Sequence, residues 1–206
     1  LRTYSKDNLL DDPLRILRCF RFVSELNFKI DVNLIDCIKN YKNQLKLAAN
    51  ERINNEIQRI IRGQHASQAI QFINKFHIFD FIQSEKELIF IDLEKINLEK
   101  LKKNEKEKFV PLFFLAQILD EFSLKNLKFS KSEISKIRRL RKWHFLLKRK
   151  DIDEFNEIER FDLHQELETI LPSFILFLPE ELYLDWLNRW RDKDDKLFHP
   201  SNLIKG

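Results

Sequence analysis

The sequence contains no methionine and is poor in the residues that make turns, because its 206 residues include only two glycines and five prolines. Sheet-rich folds need frequent tight turns, which favour glycine and proline. The two cysteines, Cys19 and Cys37, are too few for a disulfide framework and lack the spacing of a metal-binding pair. These deficits argue against a β-rich or disulfide-stapled protein, and they indicate long helices, joined by short polar links, in a reduced cytoplasmic setting.

Long apolar runs are also missing. The most apolar stretch that we identify, residues 109–119, is shorter than the roughly 18 residues of a membrane-spanning helix, so it is read as a buried helix and no membrane partner is predicted. Because no residue can serve as an initiator methionine, we expect the chain to be part of a longer protein. Hydrophobic residues make up 43% of the chain and include 19 phenylalanines, which suffices for one or two small domains with a real core.

Residues 11–22, DDPLRILRCFRF, predict an amphipathic helix with a cationic face. Asp12 is a good N-cap and Pro13 suits the first helical position, so the helix is predicted to begin there and to place Arg15 one turn beyond Asp12. At about 100° per residue, one face carries Ile16, Leu17, Phe20 and Val23, and the other carries Arg15, Arg18 and Arg21. The carboxylate and the three guanidiniums suit a nucleotide, although a solvated basic face is the simpler alternative.

Further helices are predicted along the rest of the chain. Asp31 is expected to cap a second helix with Val32, Ile35 and Ile38 inward, and a third helix over 51–62 should end at Gly63. Its apolar stripe contains Ile53, Ile57, Ile60 and Ile61. Helical patterns continue near 65–82, 84–103, 106–122, 130–149, 151–171 and 179–196. The predicted fold class is therefore all-α.

The charge is distributed unevenly in the second half of the chain. Residues 131–150 contain nine lysines and arginines and one acid, whereas residues 151–168 contain eight acids and one base. The basic run could neutralise RNA phosphates while Trp143 or Phe145 stacks on a base. Alternatively, Trp143 belongs to the core and the basic run pairs with the acidic run; both interpretations stay open. The candidate RNA-binding residues are Arg138, Arg139, Arg141, Lys142, Lys148 and Arg149. Trp186 and Trp190, four residues apart, favour a packed helical stripe.

Three motifs, in order, resemble the neck of class II tRNA nucleotidyltransferases and bacterial poly(A) polymerases. They are DDPLRILRCFRF at 11–22, ELNF-x-ID at 25–31 and ERI-x-x-EI at 51–57. The family motif usually opens with Glu-Asp, where this chain has Asp11-Asp12. The resemblance covers about the first third of the chain well, and the remainder only as a compatible helical pattern.

The resemblance implies a role for each matching residue. Asp12 and Arg15 would read the nucleotide base, while Arg18 and Arg21 would bind phosphates or brace the helix. The remaining motif residues, Asp11, Glu51, Arg52 and Glu56, would support the nucleotide-reading helix. For Glu56, ordinary pairing along its own helix is an equally good interpretation.

The resemblance also implies an architecture and an activity. Residues 1–70 would be a nucleotide-reading neck, 71–198 a helical body that binds RNA, and 199–206 the start of a further segment. The parent enzyme would add nucleotides from ATP, or from CTP and ATP, to an RNA 3′ end, with tRNA the expected partner. Its N-terminal catalytic head, which would hold Mg²⁺ on two carboxylates, is missing here, so the isolated chain is predicted to be inactive and to hold no cofactor.

Two Asp-x-Asp pairs could imitate the metal-binding carboxylates, but neither follows a glycine turn or a strand pattern. Asp151 and Asp153, and likewise Asp192 and Asp194, are therefore predicted to be surface or helix-cap acids. A different class of function also remains open, namely a non-catalytic helical module that binds RNA or acts as a scaffold without selecting nucleotides.

Overall fold

The computed structural model describes residues 7–82 and 98–192, and in these ranges the secondary structure is helical, with no strand. The helices are α1 Asp7–Asp11, α2 Arg15–Leu26, α3 Val32–Tyr41, α4 Asn50–Ile60, α5 Ala66–Lys75, α6 Lys103–Ile118, α7 Glu121–Asn126, α8 Lys131–Leu147, α9 Glu157–Leu167, α10 Leu171–Ile175 and α11 Glu180–Arg191. Short 3-10 segments occur at Lys42–Leu47, Leu98–Lys100, Ile152–Glu154 and Glu168–Ile170. The all-α prediction is confirmed. No described helix is long and apolar enough to cross a bilayer.

The chain forms two compact units. The first contains the described residues of Leu1–Leu93 together with Gln117–Ile134, and the second contains those of Glu94–Ala116 and Ser135–Gly206. Of the three boundaries between the units, one therefore falls within α6 and one within α8, and the third lies outside the described residues. The unit that holds the motifs also contains residues 71–82 and α7, whereas the family resemblance implied a neck that ends at residue 70. The predicted segment 199–206 and residues 84–97 of a predicted helix lie outside the described residues.

Helix α2 lies at the centre of the first unit, where it packs against α4 and α5. Its predicted apolar face is confirmed, because Ile16, Leu17, Phe20 and Val23 are fully buried. The predicted N-cap is wrong. Asp12 and Pro13 form a turn in which the backbone N–H of Arg15 donates to the carbonyl of Asp12 (3.0 Å), and the helix begins at Arg15 after Leu14. This turn leaves the Asp12 side chain available for other contacts.

The spacing of apolar residues predicted the buried face of α4 correctly, but it predicted that of α3 only in part. Asp31 caps α3 as predicted, since its carboxylate accepts from the backbone N–H of Asn33 (3.0 Å). The predicted inward face of α3 is wrong at Val32, which is 72% exposed, because Leu34, Cys37 and Ile38 are the buried residues. In α4 the stripe Ile53, Ile57, Ile60 and Ile61 is buried as predicted.

Gly63 allows a close approach between the turn after α4 and the end of α2. A β-carbon at this position would lie 2.5 Å from the carbonyl oxygen of Ser24 and 2.6 Å from its carbonyl carbon. At the same crossing, the Ser24 hydroxyl donates to the carbonyl of Ile60 (2.5 Å) and the backbone N–H of His65 donates to that of Ser24 (2.8 Å). Gly63 was predicted to end α4, but the helix ends at Ile60 and the glycine is needed for this contact with Ser24.

Gly63→Ala is expected to lower the free energy of unfolding by about 1–3 kcal/mol, because the added methyl overpacks a backbone contact that cannot move aside. Urea unfolding followed by circular dichroism measures the change. Gln64→Ala, at the exposed neighbouring position, is the control and should cost less than about 0.5 kcal/mol. Equal effects of the two substitutions would show that the crossing tolerates a side chain.

Three hydrogen bonds within the first unit join residues that are far apart in sequence. The Asn54 amide donates to the carbonyl of Leu127 (2.9 Å), the Gln58 amide to the Glu133 carboxylate (3.3 Å), and the Ser123 hydroxyl to the carbonyl of Ile82 (2.8 Å). These bonds connect the segment 117–134 to residues before 83. The first unit is therefore completed by a segment that follows it in sequence.

The second unit packs parts of α6 and α8 with α9, α10 and α11. Arg191 of α11 donates to the Glu105 carboxylate (2.9 Å from Nε) and to the carbonyl of Lys100 (2.9 Å). The bond from Arg191 lowers the pKa of the Glu105 carboxyl. The single helix predicted over 151–171 is wrong, because Asn156 interrupts it. The Asn156 side chain accepts from the backbone N–H of Glu159 (2.9 Å), and the backbone N–H of Asn156 donates to the Glu159 carboxylate (2.8 Å). This reciprocal pair is a capping box that starts α9.

Candidate functional site

The charged face of α2 is joined to α4 by a double hydrogen bond. Nη1 of Arg21 lies 3.0 and 2.9 Å from the two carboxylate oxygens of Glu56, and both side chains are 12% exposed. Nε of Arg18 lies 3.5 Å from the same carboxylate. Charge-assisted pairs in a partly buried setting are stronger than surface pairs, so Glu56 fixes both arginines against the surface of α4.

The pairing continues in both directions from Glu56. Asp12 lies 3.4 Å from Nη1 of Arg18 and 3.8 Å from Nη2 of Arg52. At the other end, Glu25 lies 3.6 Å from Nε of Arg21 and 2.8 Å from Nη2 of Arg59. We call this continuous set the α2–α4 network; its members are Arg52, Asp12, Arg18, Glu56, Arg21, Glu25 and Arg59.

Asp12, between Arg52 and Arg18 in the network, retains capacity to bind a ligand. Its distances to Arg18 and Arg52 exceed that of a hydrogen bond, so its oxygens can still accept donors, and its side chain is 24% exposed. Arg15 is exposed one turn later on α2. An acceptor carboxylate and an exposed arginine, three residues apart in sequence, thus lie at the beginning of α2.

The structure separates the other predicted support residues. Arg52 and Glu56 belong to the α2–α4 network, whereas Asp11 and Glu51 are exposed outside it. Glu25 and Arg59 are members that were not predicted from the sequence. The signal for Glu25 was its position four residues after Arg21, but nothing local pointed to Arg59, which lies 34 residues from its partner.

Helix α8 buries part of the predicted basic surface. Arg141 is 6% exposed and donates to the carbonyl of Ala116 (2.9 Å), so its guanidinium is directed into the second unit. This burial removes Arg141 from the candidate RNA surface. Trp143 is 2% exposed and its indole N–H donates to Glu166 (2.9 Å), which confirms the interpretation of Trp143 as a core residue.

Pairing with the acidic run accounts for further members of the basic run. Lys142 pairs with the Glu166 carboxylate and Arg139 donates to the Glu166 carbonyl. Lys150 donates to Glu159 (2.7 Å) and, by this bond, lowers the pKa of the Glu159 carboxyl. The exposed candidates are Arg138, Lys142, Lys148 and Arg149, and of these Lys142 is the one paired with Glu166.

The remaining candidates in the second unit are structural or exposed. Trp186 stacks on His164 with ring centroids 5.9 Å apart, and Trp190 packs edge-on against Phe109 at 5.5 Å, which is a packed stripe as predicted. Asp151, Asp153 and Asp192 are surface residues, and Asp194 lies outside the described residues. Within residues 7–82 and 98–192, no group of three or more acidic, histidine or cysteine side chains is arranged to hold a metal ion.

Comparisons with known proteins match parts of this chain. The family model described as "Probable RNA and SrmB- binding site of polymerase A" matches residues 27–88. A CCA-adding enzyme from Oceanobacillus iheyensis is 30% identical over 123 residues, which are 58% of this chain and 28% of that enzyme. A tRNA nucleotidyltransferase from Schizosaccharomyces pombe is 36% identical over 87 residues, which are 39% of this chain and 18% of that protein. The chain thus matches less than a third of the length of either relative.

Solved structures share the fold over nearly the whole chain. An apo form of a CCA-adding enzyme aligns with all of this chain and 52% of its own, with a TM-score of 0.67 and 18% identity. A CCA-adding enzyme with ATP aligns with all of this chain and 55% of its own (TM-score 0.64, 18% identity). The Thermotoga maritima CCA-adding enzyme in complex with tRNA aligns with 92% of this chain and 51% of its own (TM-score 0.65, 19% identity).

Proposed function

We propose that this chain, a member of the tRNA nucleotidyltransferase family in its neck and body region, is the nucleotide-selecting and RNA-binding part of an enzyme that extends RNA 3′ ends. The nucleotides come from ATP, or from both CTP and ATP, and the RNA is a tRNA. The observation that carries the proposal is the α2–α4 network, which includes Asp12 and lies within the stretch that resembles the family's neck; the exposed Arg15 follows Asp12 by three residues. Mg²⁺-dependent transfer belongs to the catalytic head of the parent enzyme, so the isolated chain remains predicted to be inactive.

Hydrogen-bonding patterns explain how Asp12 and Arg15 would select nucleotides. Adenine and cytosine each present an exocyclic amino donor beside a ring-nitrogen acceptor, and guanine and uracil present the reverse order at the matching edge. A carboxylate accepts from the amino group while a guanidinium donates to the ring nitrogen. With guanine or uracil, like groups would face each other, so both bases are rejected.

In the complete enzyme, Asp12→Ala or Arg15→Ala is expected to reduce the preference for ATP and CTP over GTP and UTP by about ten- to a hundredfold. Each substitution removes one charge-assisted hydrogen bond, worth about 1.5–3 kcal/mol. Incorporation of each labelled nucleotide into tRNA lacking its 3′ end measures the preference. Arg62→Ala, at an exposed position after α4, is the control. Unchanged selection in folded Asp12 and Arg15 variants would refute the site assignment.

RNA binding is assigned to the exposed basic residues of the second unit. Binding of the 206-residue chain to tRNA should weaken with salt by about one unit of log–log slope per phosphate contact. The slope should decrease by about three units when Arg138, Lys148 and Arg149 are changed together to alanine, because all three are exposed. Fluorescence anisotropy with labelled tRNA at several salt concentrations measures the slope.

In the matched control, Lys103, Lys106 and Lys108 of α6 are changed together to alanine, which removes the same amount of positive charge. A slope that changes equally in both triple variants would mean that net charge, and not the α8 surface, attracts the RNA. The non-catalytic alternative makes a different pair of predictions. A simple RNA-binding module would show the salt dependence of RNA binding. It would have no preference among nucleotides, so substitutions of Asp12 or Arg15 would change none.

A further inference from the structure

The α2–α4 network ends at Arg59 on the side away from Asp12. Within the network each carboxylate lies between two arginines, and Arg59 shares Glu25 with Arg21. The Nε and Nη2 atoms of Arg59 lie 3.0 and 2.8 Å from Oε1 of Glu25. The Arg59 side chain is 55% exposed, so its removal should leave the core of the first unit intact.

Arg21 leaves one of its donors unused inside the network. Its Nη1 atom contacts both carboxylate oxygens of Glu56 (3.0 and 2.9 Å), whereas its Nε atom is buried and has no hydrogen-bond partner among the described residues. Oε2 of Glu25 is 3.6 Å from this Nε atom, which is just beyond hydrogen-bond distance. A guanidinium binds a carboxylate most strongly through parallel N–H bonds from two of its nitrogens, so the Nε edge of Arg21 attracts Glu25.

Arg59 opposes this attraction, because its two close contacts hold the Glu25 carboxylate on the other side. Without Arg59, Glu25 is expected to move the remaining distance to Nε of Arg21. A buried N–H without an acceptor is unfavourable, and a carboxylate four residues later on the same helix face can supply one. Arg21 would then divide its charge between two carboxylates, and its bonds to Glu56 would weaken.

The change would reach Asp12 through Arg18. Nε of Arg18 is 3.5 Å from Glu56 and its Nη1 is 3.4 Å from Asp12, so the guanidinium lies almost equally close to both acids. A Glu56 carboxylate that is less firmly bound by Arg21 would draw Arg18 closer and away from Asp12. Of the two network contacts of Asp12, the one with Arg52 at 3.8 Å would remain. A carboxylate with one long contact is less well oriented than a carboxylate with two.

We propose that Arg59 is a positioning residue for nucleotide selection. By holding Glu25 away from Arg21, it preserves the arrangement that orients the Asp12 carboxylate towards the base. Arg59 acts through these side chains and needs no contact with the nucleotide. The inference rests on the proposed function, in which Asp12 reads the base. It differs from simple bracing of α2 against α4, because bracing would be lost equally when either Arg59 or Glu25 is removed.

Variants of the complete enzyme test the proposal through nucleotide selection. Arg59→Ala should reduce the preference for ATP over GTP about two- to fivefold, the range expected for a partly exposed ion pair, through a higher KM for ATP at nearly unchanged kcat. Arg59→Lys keeps a cation beside Glu25 and should retain most of the preference. Arg59→Ala combined with Glu25→Ala also removes the competing carboxylate and should restore the preference. Arg62→Ala removes the same charge at an exposed position outside the network and is the control.

Nuclear magnetic resonance on the 206-residue chain tests the rearrangement without any enzymatic activity. In the unsubstituted chain, the Arg21 Nε–H signal reports a donor without an acceptor. In Arg59→Ala this signal should move downfield and exchange more slowly with solvent, because the N–H then donates to Glu25. Both changes should disappear when Glu25→Ala is added, and neither should occur in Arg62→Ala.

Several results would overturn the proposal. Unchanged selection in Arg59→Ala would do so, and so would a double variant that stays as impaired as Arg59→Ala alone. An equal loss in Arg62→Ala would assign the effect to net charge instead. Failure of the proposed function gives a different result, because Asp12→Ala itself would then leave selection unaltered. An unshifted Arg21 signal in Arg59→Ala, by contrast, refutes the rearrangement whatever Asp12 does.

Discussion

Glu56→Ala is expected to lower the free energy of unfolding by about 3–5 kcal/mol. The substitution leaves the Arg21 guanidinium, whose side chain is only 12% exposed, without the carboxylate that it contacts at 2.9 and 3.0 Å. It also removes the carboxylate nearest to Nε of Arg18. Urea unfolding at pH 7 measures the loss, which is large because the partly buried Arg21 then keeps only the longer contact between its Nε and Glu25 (3.6 Å).

The same helix provides the control for this prediction. Glu51 of α4 is exposed, so Glu51→Ala should change stability by less than about 0.5 kcal/mol. The double change Arg21→Met with Glu56→Leu should recover most of the loss, because no buried charge is then left unpaired. Similar losses for Glu51→Ala and Glu56→Ala would mean that the network adds little to the fold.

Acidification from pH 7 to pH 4 is expected to destabilise the second unit by on the order of 3 kcal/mol for each of two buried histidines. Burial lowers the pKa of His144 and of His164 to about 4 in the folded chain, against an ordinary value of 6.5. Between these values the unfolded chain binds more protons than the folded chain. Stability is therefore complete above about pH 6.5 and decreases as the pH falls towards 4.

Carboxylates contribute in a lower pH range, which separates the two effects. The pKa of Glu105 is lowered by its hydrogen bond to Arg191, so its stabilisation is present above about pH 4.5 and is lost below it. Unfolding free energies at pH 7, 6 and 5 thus isolate the histidines. Changing His144 and His164 to phenylalanine should flatten this range, and His77→Asn, at an exposed left-handed position with φ 52°, should not. An unaltered slope in the double variant would assign the acid sensitivity to other groups.

Local patterns predicted the helices whose burial follows from their own sequence. The isoleucines of α4 and the apolar face of α2 repeat at helical spacing, so their burial needed no knowledge of other elements. Helix α3 is different, because both Val32 and Leu34 are apolar near its start and only packing decides which one is covered. The same limit applies to Asp12, since a turn and an N-cap have similar sequence signals.

The α2–α4 network could not be predicted because its partners are far apart in sequence. Arg21 and Glu56 are separated by 35 residues, and the arginine face of α2 therefore looked uniformly cationic. The burial of Arg141 did have a local signal. Ile134, Ile137, Arg141 and His144 follow the spacing of one helix face, so Arg141 shares the buried side of α8.

The discontinuous first unit has a consequence for synthesis on the ribosome. Residues 1–93 are made first, yet the bonds of Asn54 and Gln58 to α7 and the start of α8 require residues 117–134. At about 5–20 residues per second, the nascent chain waits several seconds with these groups unpaired. Helix α4, which carries Glu56, therefore completes its packing only after the first part of the second unit has been translated.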